Sequence, residues 1–187
     1  MKHVILLIIV LSISYCSTVK GADWKYISST KGGGKTVIAF YDRLSKVKKG
    51  GRYISVWVKL FSQEKIDNVH NTHKDTIDAL SKKIFSPLYF PPSVLILEPD
   101  ITKRLQMANI VIAMEVEVNL FSMSPQLSPI ENAHLLIDCD EHKIQTLSYY
   151  LYDDEGEVTQ IVNEASGWDD MAPDTFGYIL QQILCNY

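Results

Sequence analysis

Strict alternation of apolar and polar positions between residues 52 and 63 is the clearest pattern in the chain. Ile54, Val56, Val58 and Leu60 fall on one side, and Tyr53, Ser55, Trp57, Lys59 and Phe61 on the other. A period of two predicts a strand whose aliphatic face rests on a core. The opposite face carries too many aromatics for open solvent, so a helix or another subunit should cover it, the helix being the simpler choice. Residues 24–28 and 36–42 read as two further strands joined through Lys31-Gly32-Gly33-Gly34-Lys35, a glycine turn suited to a hairpin. Gly34-Lys35-Thr36 superficially matches the end of a phosphate loop. Ser29 occupies the place of the required first glycine, and a strand rather than a helix follows, so that reading fails. Lys48-Lys49-Gly50-Gly51 turns the chain into the alternating strand.

The middle is less regular. Ile77, Leu80 and Ile84 stand at helical spacing and predict a helix over 72–85, with Thr72 or Asn71 available as its cap. Pro87, Pro91 and Pro92 break the chain ahead of the short apolar run 94–97, and 101–107 suits a helical turn. Residues 108–121 alternate in part, Met114, Val116, Val118 and Leu120 against Glu115, Glu117 and Asn119, which predicts another long strand. Pro125 and Pro129 bracket a loop before a strand over 134–139. A strand over 144–152, the turn Asp153-Asp154-Glu155-Gly156 and a returning strand over 157–163 form a second hairpin. The chain ends in an amphipathic helix, capped by Asp174 or Thr175, in which Phe176, Ile179, Leu180, Ile183 and Leu184 make one apolar stripe.

Composition adds an export argument. Lys2 and His3 precede an unbroken apolar run over 4–13, followed by small and polar residues, which matches a secretory signal peptide cleaved after Gly21. The run is too short for a permanent membrane span. Cys16 raises lipidation as an alternative, although Tyr15 is bulky where a lipobox wants a small residue. Cleavage leaves Cys139 and Cys185, an even pair in an oxidising compartment where disulfides persist. The blander reading is two unrelated buried thiols. A bridge across these 46 positions would contribute about 4 kcal/mol on chain-entropy grounds. Loss of Lys2 and Lys20 leaves 16 basic against 22 acidic residues, spread along the chain with no basic tract. That balance argues against nucleic acid and anionic lipid as partners.

Several of these features occur together in one order. Trp24 is followed by Val56-Trp57-Val58-Lys59, then by Asp138-Cys139 and a Tyr-bearing strand. Tyr152-Asp153-Asp154-Glu155-Gly156, Trp168, Pro173-Asp174-Thr175 and Cys185 complete the series. The pattern resembles the bacterial surface-adhesin protein E family over about 22–61 and 133–187. The resemblance implies an antiparallel sheet backed by a C-terminal helix, with a disulfide joining the two, and a role in binding host matrix or serum proteins. It carries no binding residues over to this chain. The stretch from about 62 to 132 is longer than the family's usual connection, and Asp140-Glu141-His142-Lys143 is mixed in charge where the family tends to place a basic residue.

Catalytic chemistry finds weaker support. His70 and His73 with Asp67 or Asp75 suggest a metal site on a helix, but no third ligand is specified and a solvated surface explains them as well. A metal-dependent hydrolase using these histidines is therefore the remotest alternative. His134 and His142 flank Cys139, yet a bridged sulfur is no nucleophile. The chain holds no Gly-x-Ser-x-Gly elbow, and the acidic turn 153–157 lacks calcium-loop spacing. The expected fold is α+β: a mainly antiparallel sheet of about six strands packed by a C-terminal helix, a helix-to-sheet disulfide and a helical insertion over about 62–132 of a single domain, 22–187. The expected role is non-enzymatic protein binding outside the cytoplasm, in the periplasm, at the cell surface or secreted, with no cofactor and no bound metal. Tyr53, Trp57, Phe61, Tyr150 and Tyr152 are the candidate contact residues, for a host matrix protein, an envelope partner in a structural or assembly role, or a second copy of the chain.

Overall fold

The structure, a computed structural model, describes residues 22–32, 35–84, 91, 93–94, 98, 100–121, 127–173 and 175–185. The expected signal segment with Cys16, the hairpin glycines 33 and 34, Pro87, Pro92, Pro125 and the alternative cap Asp174 lie outside the described residues. Among the described residues, eight strands form one antiparallel sheet: β1 (Trp24–Gly32), β2 (Lys35–Asp42), β3 (Val47–Lys49), β4 (Tyr53–Ser62), β5 (Glu131–Asp138), β6 (Lys143–Tyr152), β7 (Val158–Val162) and β8 (Asp169–Asp170). Their order is β1-β2-β4-β5-β6-β7, with β3 beside β4 and β8 beside β6. Gly50 and Gly51 take φ of 63° and 77° in the turn between β3 and β4, a left-handed region that a side chain would disfavour. The doubled glycine of the sequence is explained by that turn.

The alternation in β4 sorts its side chains onto two faces, and each face has its own cover. Ile54, Val56 and Val58, with Ala133, Leu135 and Ile137 of β5, pack against Ile179, Leu180, Ile183 and Leu184 of the C-terminal helix α3 (Phe176–Cys185). On the other face Trp24, Tyr26, Ile38, Phe40 and Phe61 meet helices α1 (Gln63–Ile84) and α2 (Ile101–Phe121) through Ile66, Val69, Ile77, Val111, Val116 and Val118. Thr175 caps α3 by accepting a hydrogen bond from the Tyr178 amide at 3.3 Å. At the far end Lys46 Nζ donates to the Leu184 carbonyl at 2.9 Å, placing a cation where the helix dipole is negative.

Two expectations for the mid-chain insertion need correction. The segment 108–121 is not a strand but the larger part of α2, continuous with 101–107. Ala108, Val111, Ile112, Glu115 and Val116 are all buried, a helical i, i+3, i+4, i+7, i+8 stripe with a glutamate inside it. Met114 and Leu120 lie off that stripe, and with buried Val116 and Val118 they produce the accidental alternation. The other helix starts nine residues earlier than expected, at Gln63 directly after β4, with Ser62 Oγ accepting from the Lys65 amide at 3.2 Å. Its helical geometry breaks at His73 (φ −119°, ψ 21°), beside the cap positions that the sequence pattern suggested.

Two buried glutamates orient α2. Glu115 accepts from the Tyr26 amide and from Lys25 Nζ, both at 3.1 Å, which ties α2 to β1. Burial nevertheless pushes its carboxyl above the usual range, with Lys25 opposing. Asn119 acts like a missing strand partner: its Oδ1 accepts from the Trp24 amide at 2.8 Å and its Nδ2 donates to the Trp24 carbonyl at 2.9 Å. That contact covers the outer end of β1, an edge otherwise open to pairing.

Cys139, just past β5, is bridged to Cys185, the last residue of α3, with the Cα atoms 5.7 Å apart. Next to the bridge, buried Asp138 accepts from Arg52 Nε, from Arg52 Nη2 and from the amides of Asp140 and Glu141 at 3.0 and 3.1 Å. The guanidinium first, and the amides with it, hold the Asp138 carboxyl down to about 2. Arg52 also reaches Glu141 at 2.6 Å, so one guanidinium braces the turn that carries Cys139.

Replacing both cysteines by serine should cost about 2–4 kcal/mol and lower the melting temperature by roughly 5–15 °C. Thermal unfolding checks this, and an unchanged melting temperature would remove the staple from the stability account. Because the Asp138 carboxyl is depressed on folding, its contribution is complete above about pH 4 and drains away as pH falls towards about 2. Asp138→Asn should therefore destabilise the protein at neutral pH and narrow its difference from wild type below about pH 3, measured by denaturant unfolding across pH.

Candidate binding face

The three helices do not cover the whole sheet. The principal helix–sheet contacts of α1 and α2 are with β1, β2 and β4, while α3 lies on the opposite face. The remainder of the helical-layer face, running from the Tyr53 end of β4 across β5 and β6 to β7, has no helix packed on it among the described residues. Register places the side chains of this face in rows. Lys59, Asn132, Tyr150 and Ile161 are cross-strand partners in one row, and Trp57, His134 and Ser148 in the next. Directly opposed residues share a face, so these side chains are neighbours whatever their separation in sequence.

The rings on this face touch one another. Trp57 stacks on His134 with centroids 4.7 Å apart and planes 12° apart, and meets Tyr150 at 6.1 Å. Tyr53 meets Trp168 at 5.9 Å, with the Arg52 guanidinium 5.2 Å from the Tyr53 centroid. Trp57 is fixed from behind, its amide donating to Ser45 Oγ at 2.9 Å. Partial burial lowers the His134 pKa, and Lys49 adds to the effect, so the imidazole against Trp57 is neutral at pH 7. The result is a shelf of flat, half-buried, pre-positioned rings, bordered by exposed Ile161 and by Trp168 at 41% exposure. Aromatic surfaces of this kind lose little side-chain entropy on contact and are favoured at protein interfaces.

The five residues predicted from sequence divide. Tyr53, Trp57 and Tyr150 sit on the shelf. Tyr152 lines a polar cleft of about 730 Å³ beside the first turn of α1, together with Lys65 and Asp154. Phe61 is fully buried, with its ring edge-on to Phe40 at 5.8 Å, so it belongs to the core beneath α1. The shelf also includes His134, Ile161 and Trp168, which the sequence pattern does not single out as candidates. Trp168 was visible as an isolated aromatic, but the others reach the shelf only through strand register.

The histidine pair is not drawn together. His70 Nδ1 lies 2.6 Å from Glu117 Oε1, whereas His73, at the break in α1, stacks on Phe121 at 4.4 Å. Among the described residues no group of three histidine, cysteine or carboxylate ligands is placed to hold a metal ion. The acidic hairpin 153–157 is a turn: Asp153 Oδ1 accepts from the Glu157 amide at 2.8 Å, and Gly156 has φ of 88°.

Fold and surface together define a disulfide-stapled α+β domain with one aromatic stretch of sheet that no helix covers among the described residues. Residues 128–186 match the family model for surface-adhesin protein E. The match takes in β5 to β8, α3 and both cysteines, and it covers less than half of the chain. It agrees with the resemblance read from Asp138-Cys139 onward, while residues 22–61 lie outside it. Searches of curated proteins and of solved structures returned no significant match. Among the described residues no helix is long and apolar enough to cross a membrane.

The division of aromatics makes a direct comparison. Phe61→Ala should cost about 3–5 kcal/mol, as expected for a filled core site. Trp57→Ala should cost less than about 2 kcal/mol, because its side chain is only partly buried. Chemical denaturation of the two variants checks the assignment, and equal losses would place Trp57 in the core.

Proposed function

We propose that this chain is an exported, non-enzymatic binding protein of adhesin-like type whose contact surface is the shelf built from Tyr53, Trp57, His134, Tyr150 and Trp168. The observation that carries the reading is the half-buried Trp57–His134–Tyr150 ring cluster, on the part of the sheet that has no helix packed on it among the described residues. The family match over residues 128–186 supports the same direction, since it contains His134, Tyr150 and Trp168 of the shelf. The basic and apolar start of the chain supports export with cleavage after Gly21. The disulfide fits an oxidising destination. The partner is a protein, and the shelf residues act as its anchors.

The test has two parts. Protease treatment of intact producing cells, with mass spectrometry of the mature N-terminus, should digest the domain and find Ala22 as its first residue. Purified protein should then be retained by at least one immobilised extracellular-matrix protein, and Trp57→Ala with Tyr150→Ala should weaken that retention by roughly tenfold or more. Protection of the domain until the outer membrane is breached, together with no retention on any matrix protein, would replace this reading with a periplasmic role on an envelope partner.

A further inference from the structure

The edges of the sheet are not treated alike. An edge strand turns the N–H and C=O of alternate residues away from its neighbour, and these groups accept a further strand unless something blocks them. At β1 side chains of α2 do so: Asn119 pairs with both main-chain groups of Trp24, and Glu115 accepts from the Tyr26 amide. Strand β3 is three residues long, two of them lysine, and β8 is only Asp169–Asp170. Strand β7 carries neither device. It pairs with β6 alone, and among the described residues no other main-chain or side-chain group is hydrogen-bonded to its outer edge. One register shift, opposite Leu151 and Tyr152, leaves 160–162 in regular pairing. Val158 is 47% and Ile161 56% exposed along this edge.

Charge decides what kind of strand can be added. Glu157 precedes β7 and Glu164 follows it, both exposed, with exposed Asp154 and Glu155 at the hairpin end. A second copy of β7, laid parallel or antiparallel, would set acidic ends against acidic ends, which like-charge opposition disfavours. A basic residue at each end of an incoming strand meets the opposite charge. Ile161 is the cross-strand partner of Tyr150, so a side chain set beside Ile161 continues an apolar row. We propose that the outer edge of β7 binds, by strand addition, an extended polypeptide segment with basic residues at its ends and apolar residues at alternate positions between them. The site adjoins the aromatic shelf but works through main-chain groups, so it does not depend on the function assigned to the shelf.

The probe is a fluorescein-labelled, amidated peptide of alternating valine and threonine with a lysine at each end, titrated with the mature protein at low ionic strength and followed by anisotropy. It should bind saturably, roughly tenfold more tightly than the same peptide with glutamate ends. N-methylation of alternate backbone nitrogens keeps every side chain and removes the ladder donors in one of its two phases. That phase should abolish binding, and the other should leave it within about threefold. Bound peptide should also slow amide hydrogen exchange in 158–162. Ile161→Lys, an exposed change that folding should tolerate, should weaken binding roughly tenfold. Glu157→Gln with Glu164→Gln should bring the lysine and glutamate peptides to within about threefold of each other. Trp57→Ala should bind the peptide as wild type does, which separates this edge from the shelf. The proposal is overturned if no peptide saturates, if the two methylation phases are equivalent, if the β7 amides gain no protection, or if Trp57→Ala loses the peptide. Self-association that Ile161→Lys abolishes would overturn it as well, by putting a second copy on the edge. Should a variant fail to fold, the methylated pair on the wild-type protein decides the matter.

Discussion

Strand β4 carries large apolar side chains on both faces, and the remaining elements are arranged around that constraint. Ile54, Val56 and Val58 require cover on one side, and Phe61 and the half-buried Trp57 require it on the other. Each such side chain contributes about 1.5–3 kcal/mol when removed from water, so neither face can be left wholly exposed. Helix α3 answers the first demand with Ile179, Leu180, Ile183 and Leu184. Helices α1 and α2 answer the second, but only across β1, β2 and the Phe61 end of β4. Among the described residues, the shelf is the part of this sheet face that the two helices do not reach.

Polar contacts then determine how the covers sit. At α3 the bridge from Cys139 to Cys185, the Arg52–Asp138 pair behind it and the Lys46 contact to the last turn all act on one end of one helix. A ten-residue helix is too short to be stable by itself, and it depends on the sheet and the bridge for its persistence. At α2 the same task falls to carboxylates. Glu115 meets β1 and Glu117 meets α1, from positions two residues apart on the helix and therefore on different sides of it. Both are desolvated, which raises both carboxyl pKa values, although Lys25 beside Glu115 and the hydrogen bond with His70 at Glu117 oppose the rise. Burying charge in this way contributes direction more than stability.

The shelf and the α1–α2 groove lie on the same side of the sheet but differ in kind. Rings pre-positioned by stacking present broad, rigid contact area, the sort of surface that suits a folded protein partner. The space between α1 and α2 is instead an open groove with exposed Asp67, Asn109 and Ile110 on its rim. Of the two, only the shelf draws residues from the segment that matches the adhesin family.

Much of the fold was legible because its signals are local. Period-two alternation marked β4, the doubled glycine marked the turn before it, the i, i+3, i+4 stripe marked α3, and the expectation of export paired the cysteines. Helix α2 was misread for an equally local reason: Glu115 interrupts its buried stripe, and Met114, Val118 and Leu120 supply a false alternation. A glutamate reads as solvent-facing in any pattern argument, and only the packing of α2 against β1 gives this one a buried partner. Phe61 and Trp57 share one face of one strand, and nothing in their spacing says that α1 covers the first and leaves the second half open. Register, which is a relation between strands distant in sequence, brought His134 and Tyr150 to Trp57. The sequence alone therefore determined the strands, the terminal helix and the staple, because period, capping and redox context are properties of short segments. Only the tertiary structure decided which face stayed open, because coverage depends on where helices land.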